Sequence, residues 1–536
     1  MKKTALISVF NKKGIVDFAN QLKELGWDII ASGGTFKTLT EAGIKAKDVA
    51  SIVGGKAILG HRVVTLSREV HAGLLARDIN EDHQELKQLG IPWIGLVCVD
   101  LYPLKEEINN PKATTESVIE KTDIGGPTLL RSAAKGQRIV VCDPNDRQLV
   151  IDWLKQEEPN RNEFITQLAA KAEKVVADYC LTSARFHSQG NNEGVIAEKV
   201  LTCKYGENAW QTPAALFSHG SDDPLALDKF KVIAGTDPSY NNLCDIHRLV
   251  QTVTHIAAAF DLNRGKIPNI AVGVKHGNAC GAAVGSDKNE VIKNMVNGDK
   301  RAIFGGLVIT NFEIDQETAQ TLISYNMPEG EQRILDGIIA PSFVDGVNSF
   351  LERKTGKCRL IENKALGSEL GQKSLDSTSA FRYVRGGFLA QPNFTFVLDL
   401  NDPDLEKVTQ ATERQENNIL LAWAIGSTSN SNTVTLIRDG YLIGNGTGQQ
   451  DRVGCCKLAV NLRAKDAGHD TNGAVAYSDS FFPFVDGPEV LAEAGIKVIL
   501  ASKGSIRDQE VIDFCKSKGI ILYLIPDKKA RGFFGH

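Results

Sequence analysis

The sequence predicts an α/β protein that begins with a doubly wound parallel sheet, and three observations support this fold class. Short apolar runs alternate with helical patterns from residue 5 to residue 142, which is typical of a parallel sheet with helices on both faces. Similar runs return beyond residue 200. The chain has 536 residues, more than one hydrophobic core supports, so we expect about two to four domains.

Four strands are expected in the first region, at residues 5–10, 27–31, 94–99 and 138–142. Helical patterns follow the first two strands, over residues 14–25 and then up to Ala42, where Gly43 closes the second helix. Ligands of doubly wound folds bind at the carboxyl ends of the strands. The residues that follow these strands are therefore the first candidates for a site.

A boundary is expected after the helical patterns at residues 146–198, which end near Gly190. We therefore expect one domain over residues 1–195 and another over residues 196–536. The second contains expected strands at residues 270–274, 337–339 and 497–501, interleaved with helical patterns. This again predicts an α/β region, which we expect to contain two similar subdomains.

Composition excludes several classes of function. The net charge is −4 and no basic stripe is visible, so we expect no nucleic-acid partner. The ten cysteines include no Cys-x-x-Cys pair, so we expect no zinc site and no disulfide framework, and reduced thiols in the cytoplasm are the simplest interpretation. No apolar run reaches the roughly 18 residues of a membrane-spanning helix, so we expect no membrane partner.

Two glycine-containing loops of the first region suit an anionic ligand. Ser32-Gly33-Gly34-Thr35 lies between an expected strand and helix, where free N–H groups attract phosphate; the alternative is a simple turn with a helix cap. A second loop places Asp123 before Gly125-Gly126, and the helix that follows carries Arg131 and Lys135 on one face. That face could flank an anionic substrate or simply be solvated.

The order of the motifs resembles a known family. The motifs are Ser8-Val9, Lys12, Gly14, Ser32-Gly33-Gly34-Thr35, His71-Ala72-Gly73, Leu75-Ala76-Arg77, Leu101-Tyr102-Pro103, Asp123-Ile124-Gly125-Gly126, Leu129-Leu130-Arg131 and Ala133-Ala134-Lys135. Together they resemble inosine monophosphate cyclohydrolase, a methylglyoxal-synthase-like domain. The resemblance implies that the nucleotide is bound by Ser8, Lys12, Ser32, Gly33, Gly34, Thr35, Arg62, Gly125 and Gly126. It also implies that Tyr102, Asp123 and Lys135 flank the closing ring.

One run departs from that family. Where the family usually has a lysine and a histidine, this chain has Val64 and Ser67. A missing cation would weaken ring closure, unless His61 or Arg68 supplies the charge from another angle. The alternative is a formyltransferase whose first domain is vestigial and only binds a nucleotide.

The second region contains a candidate base at the end of a strand. Lys275 and His276 follow an apolar run and precede Gly277. Neighbouring strand residues point to opposite faces, so the two side chains can share a site only where the strand breaks, as glycine permits. A lysine neighbour disfavours the charged imidazole, so His276 is a candidate general base. The alternative is a structural histidine.

Two other runs of the second region have a less certain meaning. The run Gly444-Asn445-Gly446-Thr447-Gly448 is similar to a dinucleotide-binding loop. However, it lacks the third glycine at the required spacing, and it follows a hairpin expected at Asp439-Gly440. We therefore reject a dinucleotide site. The aromatic and acidic run at residues 478–484 suits a flat heterocycle, or an ordinary aromatic core.

These runs resemble a second family. They are Lys204-Tyr205-Gly206-Glu207-Asn208, Lys275-His276, Ala302-Ile303-Phe304-Gly305-Gly306, Ser431-Asn432-Thr433-Val434, Gly446-Thr447-Gly448-Gln449-Gln450 with Arg452, and residues 478–484. They are similar to aminoimidazole carboxamide ribotide formyltransferase, whose fold is cytidine-deaminase-like. With the first match in the same order, the chain is identified as a member of the bifunctional purine biosynthesis family.

The second resemblance implies roles for individual residues and for partners. Lys275 and His276 would be catalytic, and Asn432 would steady the formyl oxygen. Substrate and folate would be bound by Lys204, Tyr205, Gly305, Gly306, Gln449, Arg452, Phe481, Asp486 and Arg531. The implied cosubstrate is 10-formyltetrahydrofolate. Members are homodimers, and some bind a structural potassium ion.

The second resemblance also has departures. Lys204 stands where the family usually has arginine, which keeps a charge but loses a bidentate fork, and Trp210 stands where it usually has histidine. An alternative of a different class is a regulatory protein that senses a nucleotide. Binding alone would not require Asp123, Lys135, Lys275 and His276, so we favour an enzyme. A zinc deaminase would need His-x-Glu and Cys-x-x-Cys ligands, which are missing.

Overall fold

The computed structural model describes residues 3–60, 62–353 and 356–532. The chain divides into two compact units, Met1–Ile196 and Ala197–His536. In the described residues, none of the helices combines the length and the apolar character needed to cross a membrane. Each unit is described by itself below.

Unit 1 is built on a five-stranded sheet in the order β3-β2-β1-β4-β5, with every neighbouring pair parallel. The strands are β1 (Thr4–Ser8), β2 (Asp28–Ala31), β3 (Ala46–Asp48), β4 (Leu96–Val99) and β5 (Ile139–Val141). The doubly wound prediction is confirmed. The three-residue β3 was not expected, because its polar, lysine-containing sequence carries no apolar run.

The helices of unit 1 connect these strands and cover both faces of the sheet. They are α1 (Ile15–Glu24), α2 (Gly33–Glu41), α3 (Arg68–Leu75), α4 (Asn80–Gln88), α5 (Leu104–Ile108), α6 (Thr115–Glu120), α7 (Gly125–Lys135), α8 (Asp146–Lys155) and α9 (Arg161–His187). One buried cluster contains Ile7, Ile29 and residues of α1 and α8. The opposite cluster contains Leu6, Ile30 and residues of α3 and α7. Side chains of neighbouring strand residues thus pack alternately into the clusters on the two faces of the sheet.

Unit 2 contains a mixed twelve-stranded sheet in the order β16-β21-β20-β19-β17-β18-β10-β9-β11-β12-β13-β8, and two separate hairpins, β6-β7 and β14-β15. The strands are β6 (Glu198–Cys203), β7 (Ala214–Ser218), β8 (Lys231–Ala234), β9 (Asn269–Lys275), β10 (Asn278–Gly285), β11 (Leu307–Thr310), β12 (Gly337–Ala340), β13 (Arg359–Glu362), β14 (Ser379–Val384), β15 (Gly387–Pro392), β16 (Glu406–Lys407), β17 (Val434–Arg438), β18 (Tyr441–Gly446), β19 (Val475–Ser478), β20 (Val498–Lys503) and β21 (Ile521–Pro526).

The helices of unit 2 lie on both faces of this sheet. They are α10 (Tyr240–Arg264), α11 (Lys288–Asn297), α12 (Gln316–Ser324), α13 (Val347–Leu351), α14 (Ala365–Ser368), α15 (Glu413–Ser427), α16 (Arg452–Lys457), α17 (Asp486–Glu493), α18 (Asp508–Ser517) and α19 (Asp527–Ala530). A π-helical segment, Leu458–Ala464, continues α16. The long helices α10 and α15 pack together in the largest buried cluster, beneath the middle of the sheet.

Unit 2 is an internal repeat. In each half a short strand and a long helix precede an antiparallel hairpin, and two parallel pairs follow: β8-α10-β9-β10 with β11, β12 and β13, then β16-α15-β17-β18 with β19, β20 and β21. The halves join edge to edge where β10 pairs with β18, at Ala283 and Tyr441. The prediction of two similar subdomains is confirmed.

Candidate active sites

The first site lies where β1 and β2 end. Ser8 is the last residue of β1, and its Oγ lies 2.7 Å from Oγ of Ser32. Oγ1 of Thr35 accepts a hydrogen bond from the N–H of Val9 at 3.1 Å. Ser32 occupies the N-cap position of α2, yet its side chain makes no capping bond. Ser32 is therefore the N-cap residue, as the alternative interpretation expects, but its hydroxyl contacts Ser8 of β1 instead of capping α2.

Lys12 adds a cation beside this loop. Its Nζ donates to the carbonyl oxygens of Val9 and Phe10, and a Cβ on Gly34 would lie 3.7 Å from its Cε. Partial burial lowers the pKa of Lys12, and the nearby carboxylate of Asp100 opposes this shift. Lys12 and Ser8, Ser32 and Thr35 therefore form one polar cradle at the N-terminus of α2.

Asp123 lies at the start of α7, where its Oδ1 accepts a hydrogen bond from the N–H of Gly126 at 2.8 Å. Burial raises the pKa of this carboxyl, while hydrogen bonds from the backbone N–H groups of Gly126, Tyr102 and Gly125 oppose the rise. Burial and the charge of Asp123 also raise the pKa of the Tyr102 phenol. The Asp123 carboxylate therefore contacts the backbone of Gly125, Gly126 and Tyr102.

Lys135 lies further along α7 than Asp123. It is the last residue of the helix, so about 15 Å of helix axis separates its backbone from that of Asp123. Both residues nevertheless line one groove of about 630 Å³ between α7 and α9.

The departures at residues 62–68 have local structural reasons. Arg62 is exposed and pairs with Glu120 at 2.6 Å. Val64 is half-buried and packs against the core cluster that contains Val49 and Val70. Ser67 caps α3, because its Oγ accepts a hydrogen bond from the N–H of Val70 at 3.2 Å. The candidate substitute His61 lies outside the described residues, and Arg68 pairs with Glu69.

The second site is centred on a two-residue turn between β9 and β10. Lys275 ends β9, Asn278 begins β10, and both His276 and Gly277 have positive φ angles, of 53° and 72°. This is the geometry of a tight hairpin turn that glycine or asparagine normally occupies, so a histidine there is unusual and points to function. The prediction that the strand breaks at His276 is confirmed.

Three loops meet at this turn. Oδ1 of Asn278 accepts a hydrogen bond from the N–H of Asn430 at 3.2 Å. Two residues further, the amide of Asn432 donates to the carbonyl oxygen of Gln449 at 2.7 Å. The His276 turn is thereby joined to the segments that contain Asn432 and Gln449.

Lys275 points to a third segment. Its Nζ donates to the carbonyl oxygen of Phe304 at 2.6 Å, directly before Gly305 and Gly306. A Cβ on Gly306 would lie 2.8 Å from the carbonyl oxygen of Val274, so glycine is required for this approach. Lys275 and His276 line a cleft of about 390 Å³ that also contains Asn278, Asn445 and Thr447.

The other predicted residues of unit 2 lie in separate surroundings. Arg452 is buried in an ion pair with Asp479, and it also donates to the carbonyl oxygen of Thr433 at 3.3 Å. The guanidinium of Arg531 lies 6.0 Å from the centre of the Phe481 ring. Asp486 begins α17.

Lys204 and Tyr205 follow β6 in a loop beside the N-terminus of α10. Within this loop the N–H of Gly206 donates to the carbonyl oxygen of Gln211 at 2.8 Å, and the side chain of Asn241 donates to the carbonyl oxygen of Glu207 at 3.3 Å. Lys204 is exposed. Trp210 is 79% exposed, so its ring is available to a ligand or partner.

Comparisons with known proteins cover both units. A family model described as "AICARFT/IMPCHase bienzyme" matches residues 133–462, and one described as "MGS-like domain" matches residues 14–128. A protein of Anoxybacillus flavithermus named "Bifunctional purine biosynthesis protein PurH" is 37% identical over 533 residues, which is 97% of this chain and 98% of that protein.

The chain belongs to the AICARFT/IMPCHase bienzyme family. Proteins of the same name from Oceanobacillus iheyensis and Acetivibrio thermocellus are each 35% identical, over 97% of this chain and 98% of each relative. The resemblance drawn from the sequence motifs is therefore confirmed. The matches run through both units. Nothing in them therefore favours the alternative of a formyltransferase whose first domain only binds a nucleotide.

Asp245 contacts the His276 turn, and the sequence did not single it out. Its Oδ1 accepts a hydrogen bond from the N–H of Gly277 at 2.7 Å, although it lies on α10, far from the Lys275-His276 motif in sequence. Three residues on, Arg248 donates to Thr428 and Asn430. No local signal marks either residue, because their importance depends on long-range packing of α10 under the hairpin.

Proposed function

We propose that the chain catalyses two consecutive reactions of purine biosynthesis at two separate sites. Unit 2 transfers a formyl group from 10-formyltetrahydrofolate to the 5-amino group of aminoimidazole carboxamide ribotide. Unit 1 then closes the ring to inosine monophosphate with loss of water. The observation that carries the proposal is the pair of separate constellations, one around Asp123 and one around His276.

Formyl transfer needs a base, because the substrate amine is conjugated with the carboxamide and is a weak nucleophile. His276 takes one proton from the amine as the new nitrogen–carbon bond forms. The bond between the formyl carbon and N10 of the folate then breaks, and N10 receives the proton. The amide of Asn432 and the ammonium of Lys275 stabilise the negative charge on the formyl oxygen.

The remaining predicted residues of unit 2 hold the two substrates. Lys204 and Tyr205 bind the ribotide phosphate, and Gly305 and Gly306 let the backbone approach the heterocycle. Phe481 stacks on the folate beside Arg531, and Asp486 accepts its donor groups. Gln449 and Arg452 act through the loop that carries Asn432, since Arg452 donates to the carbonyl oxygen of Thr433.

Ring closure begins when the carboxamide nitrogen attacks the formyl carbon. Asp123 removes one proton from that nitrogen and passes it to the formyl oxygen. The resulting hydroxyl then leaves as water, with the proton of the formamide nitrogen, as the carbon–nitrogen double bond forms. Tyr102 donates a hydrogen bond to the departing oxygen, since a phenol is protonated near neutral pH.

The phosphate of the nucleotide binds in the cradle of unit 1. Ser8, Ser32, Thr35 and Lys12 present hydroxyls and a cation there, and Gly33 and Gly34 expose N–H groups at the start of α2. Gly125 and Gly126 admit the ring beside Asp123. Lys135 contacts a more distant part of a ligand in the α7–α9 groove, and Arg62 acts only when it leaves Glu120.

Further properties follow from family membership. We propose a homodimer and a structural potassium ion, to which no residues are assigned. In the described residues all ten cysteines are free, which supports a reducing compartment such as the cytoplasm.

The proposal is tested by supplying each substrate separately to the purified full-length chain. Aminoimidazole carboxamide ribotide with 10-formyltetrahydrofolate should give the formylated ribotide and then inosine monophosphate. Supplied formylated ribotide should give inosine monophosphate without folate. Failure of the second assay alone would contradict the role of unit 1, and failure of the first alone would contradict the role of unit 2.

A further inference from the structure

The two halves of the unit 2 repeat hold their hairpin turns in the same way. The second hairpin turns at Asp439 and Gly440, whose φ angles of 53° and 81° match those of His276 and Gly277. The N–H of Gly440 donates to Oδ1 of Asn418 at 3.0 Å, as the N–H of Gly277 donates to Oδ1 of Asp245. Each acceptor is the sixth residue of its helix, α15 or α10.

The two halves of the repeat thus differ in the side chain that anchors the turn, meaning the side chain that accepts the hydrogen bond from the turn glycine. This side chain is neutral in one half and a carboxylate in the other. The amide of Asn418 holds one turn without any charge, so an oxygen acceptor is sufficient for anchoring. Asp245 places a carboxylate at the equivalent position. Burial raises the pKa of that carboxyl, while hydrogen bonds from the backbone N–H groups of Gly277 and His276 and electrostatic attraction to His276 and Arg248 oppose the rise. A charged group at this position is unfavourable unless a neighbouring cation compensates for it.

The same face of α10 also holds the opposite side of the site. Arg248, three residues beyond Asp245, donates to the carbonyl oxygen of Thr428 and to Oδ1 of Asn430, the latter at 3.1 Å. Asn430 in turn donates to Asn278 at 3.2 Å. One turn of α10 thus connects the segment carrying His276 with the segment carrying Asn432.

We infer that Asp245 is a positioning residue for formyl transfer: it fixes the His276–Gly277 turn through the backbone, and its negative charge stabilises the imidazolium that forms when His276 accepts the substrate proton. This inference rests on the proposed role of His276. The contact runs through the backbone N–H of Gly277, so Asp245 orients the imidazole through the turn, and a negative charge nearby favours the imidazolium over the neutral ring. The charge contributes in the transition state more than in the ground state, so it acts on kcat rather than on substrate binding.

The test is Asp245→Asn in the full-length chain, which copies the anchor found at Asn418. We expect the variant to keep the circular dichroism spectrum and the KM for both substrates. Its kcat for formyl transfer should fall by about 10- to 100-fold, the range for outer carboxylates that orient histidine ligands. Asp245→Glu should recover part of the lost kcat. Asn418→Ala, which removes the anchor of the other turn, should leave kcat unchanged.

Comparing His276→Ala with Asp245→Asn separates failure of this inference from failure of the proposed function. If His276→Ala keeps formyl transfer, the proposed function itself fails. If His276→Ala abolishes it while Asp245→Asn has wild-type kcat, only the role of Asp245 is overturned. When both single variants lower kcat, Asp245→Glu should recover part of the kcat that Asp245→Asn loses, and an Asp245→Glu variant no faster than Asp245→Asn would overturn the inference.

Discussion

The carboxylate of Asp123 and the backbone of Gly126 are in contact so close that no side chain fits between them. A Cβ on Gly126 would lie 2.4 Å from Oδ2 of Asp123. We expect Gly126→Ala to displace the carboxylate and lower ring closure by about 100-fold or more, with formyl transfer unchanged. Gly55→Ala is the matched control, since a Cβ there meets nothing within 4 Å. Wild-type ring closure by Gly126→Ala would contradict the placement of Asp123 in the site.

The pH dependence of ring closure follows from the burial of Asp123. A base acts only when ionised, and burial raises the pKa of this carboxyl above its ordinary value, so its ionisation is complete only at higher pH. The rate should therefore rise with pH through a limb that lies above the value of about 3.9 for an exposed aspartate. Asp123→Asn should remove the limb with most of the rate, and exposed Asp17→Asn should preserve it. A pH-independent wild-type rate would contradict this role.

Replacing Val64 tests whether a cation is missing from unit 1. From the sequence alone, Val64→Lys should speed ring closure if a cation is missing, and slow it if His61 or Arg68 already supplies the charge. Because Val64 packs against the core cluster, we expect lysine instead to lower the free energy of unfolding by about 1–3 kcal/mol without a gain in rate. Val64→Ala controls for lost packing. A faster ring closure by Val64→Lys would show that the position faces the substrate.

The buried pair of Arg452 and Asp479 should be essential for the stability of unit 2. Removing one partner leaves an uncompensated buried charge, at a cost of about 3–5 kcal/mol. Asp479→Asn should therefore lower the melting temperature of unit 2 by several degrees in scanning calorimetry. Glu510→Gln, which breaks the exposed pair of Arg507 and Glu510, should cause no measurable shift. Equal melting temperatures for the two variants would contradict the burial of the pair.

Local signals predicted the fold class and the chemistry-bearing segments. The alternation of apolar runs located β1, α1 and β2 to within two residues, because each element has its own periodicity, whereas α2 begins at Gly33, inside the expected loop. It missed β3, which is three residues long, and the meeting of β10 with β18, which depends on a pairing between residues far apart in sequence. Neither strand carries a local pattern that indicates which distant strand it will pair with.

Side-chain roles were harder to predict than elements. The position of His276 at the strand break was predicted, since glycine follows it. Asp245 was missed because α10 places it beside the turn only in the folded chain. Lys135, predicted from the same motif as Asp123, lies at the other end of α7, and both residues line one groove.

The central claim, that two separate sites catalyse the two reactions, is tested most directly by His276→Ala. Both half-reactions should be measured on the purified variant, with the folded state checked by circular dichroism. The account predicts that formyl transfer is lost while supplied formylated ribotide still closes to inosine monophosphate at the wild-type rate. Loss of both reactions in a folded variant, or retention of formyl transfer, would contradict it.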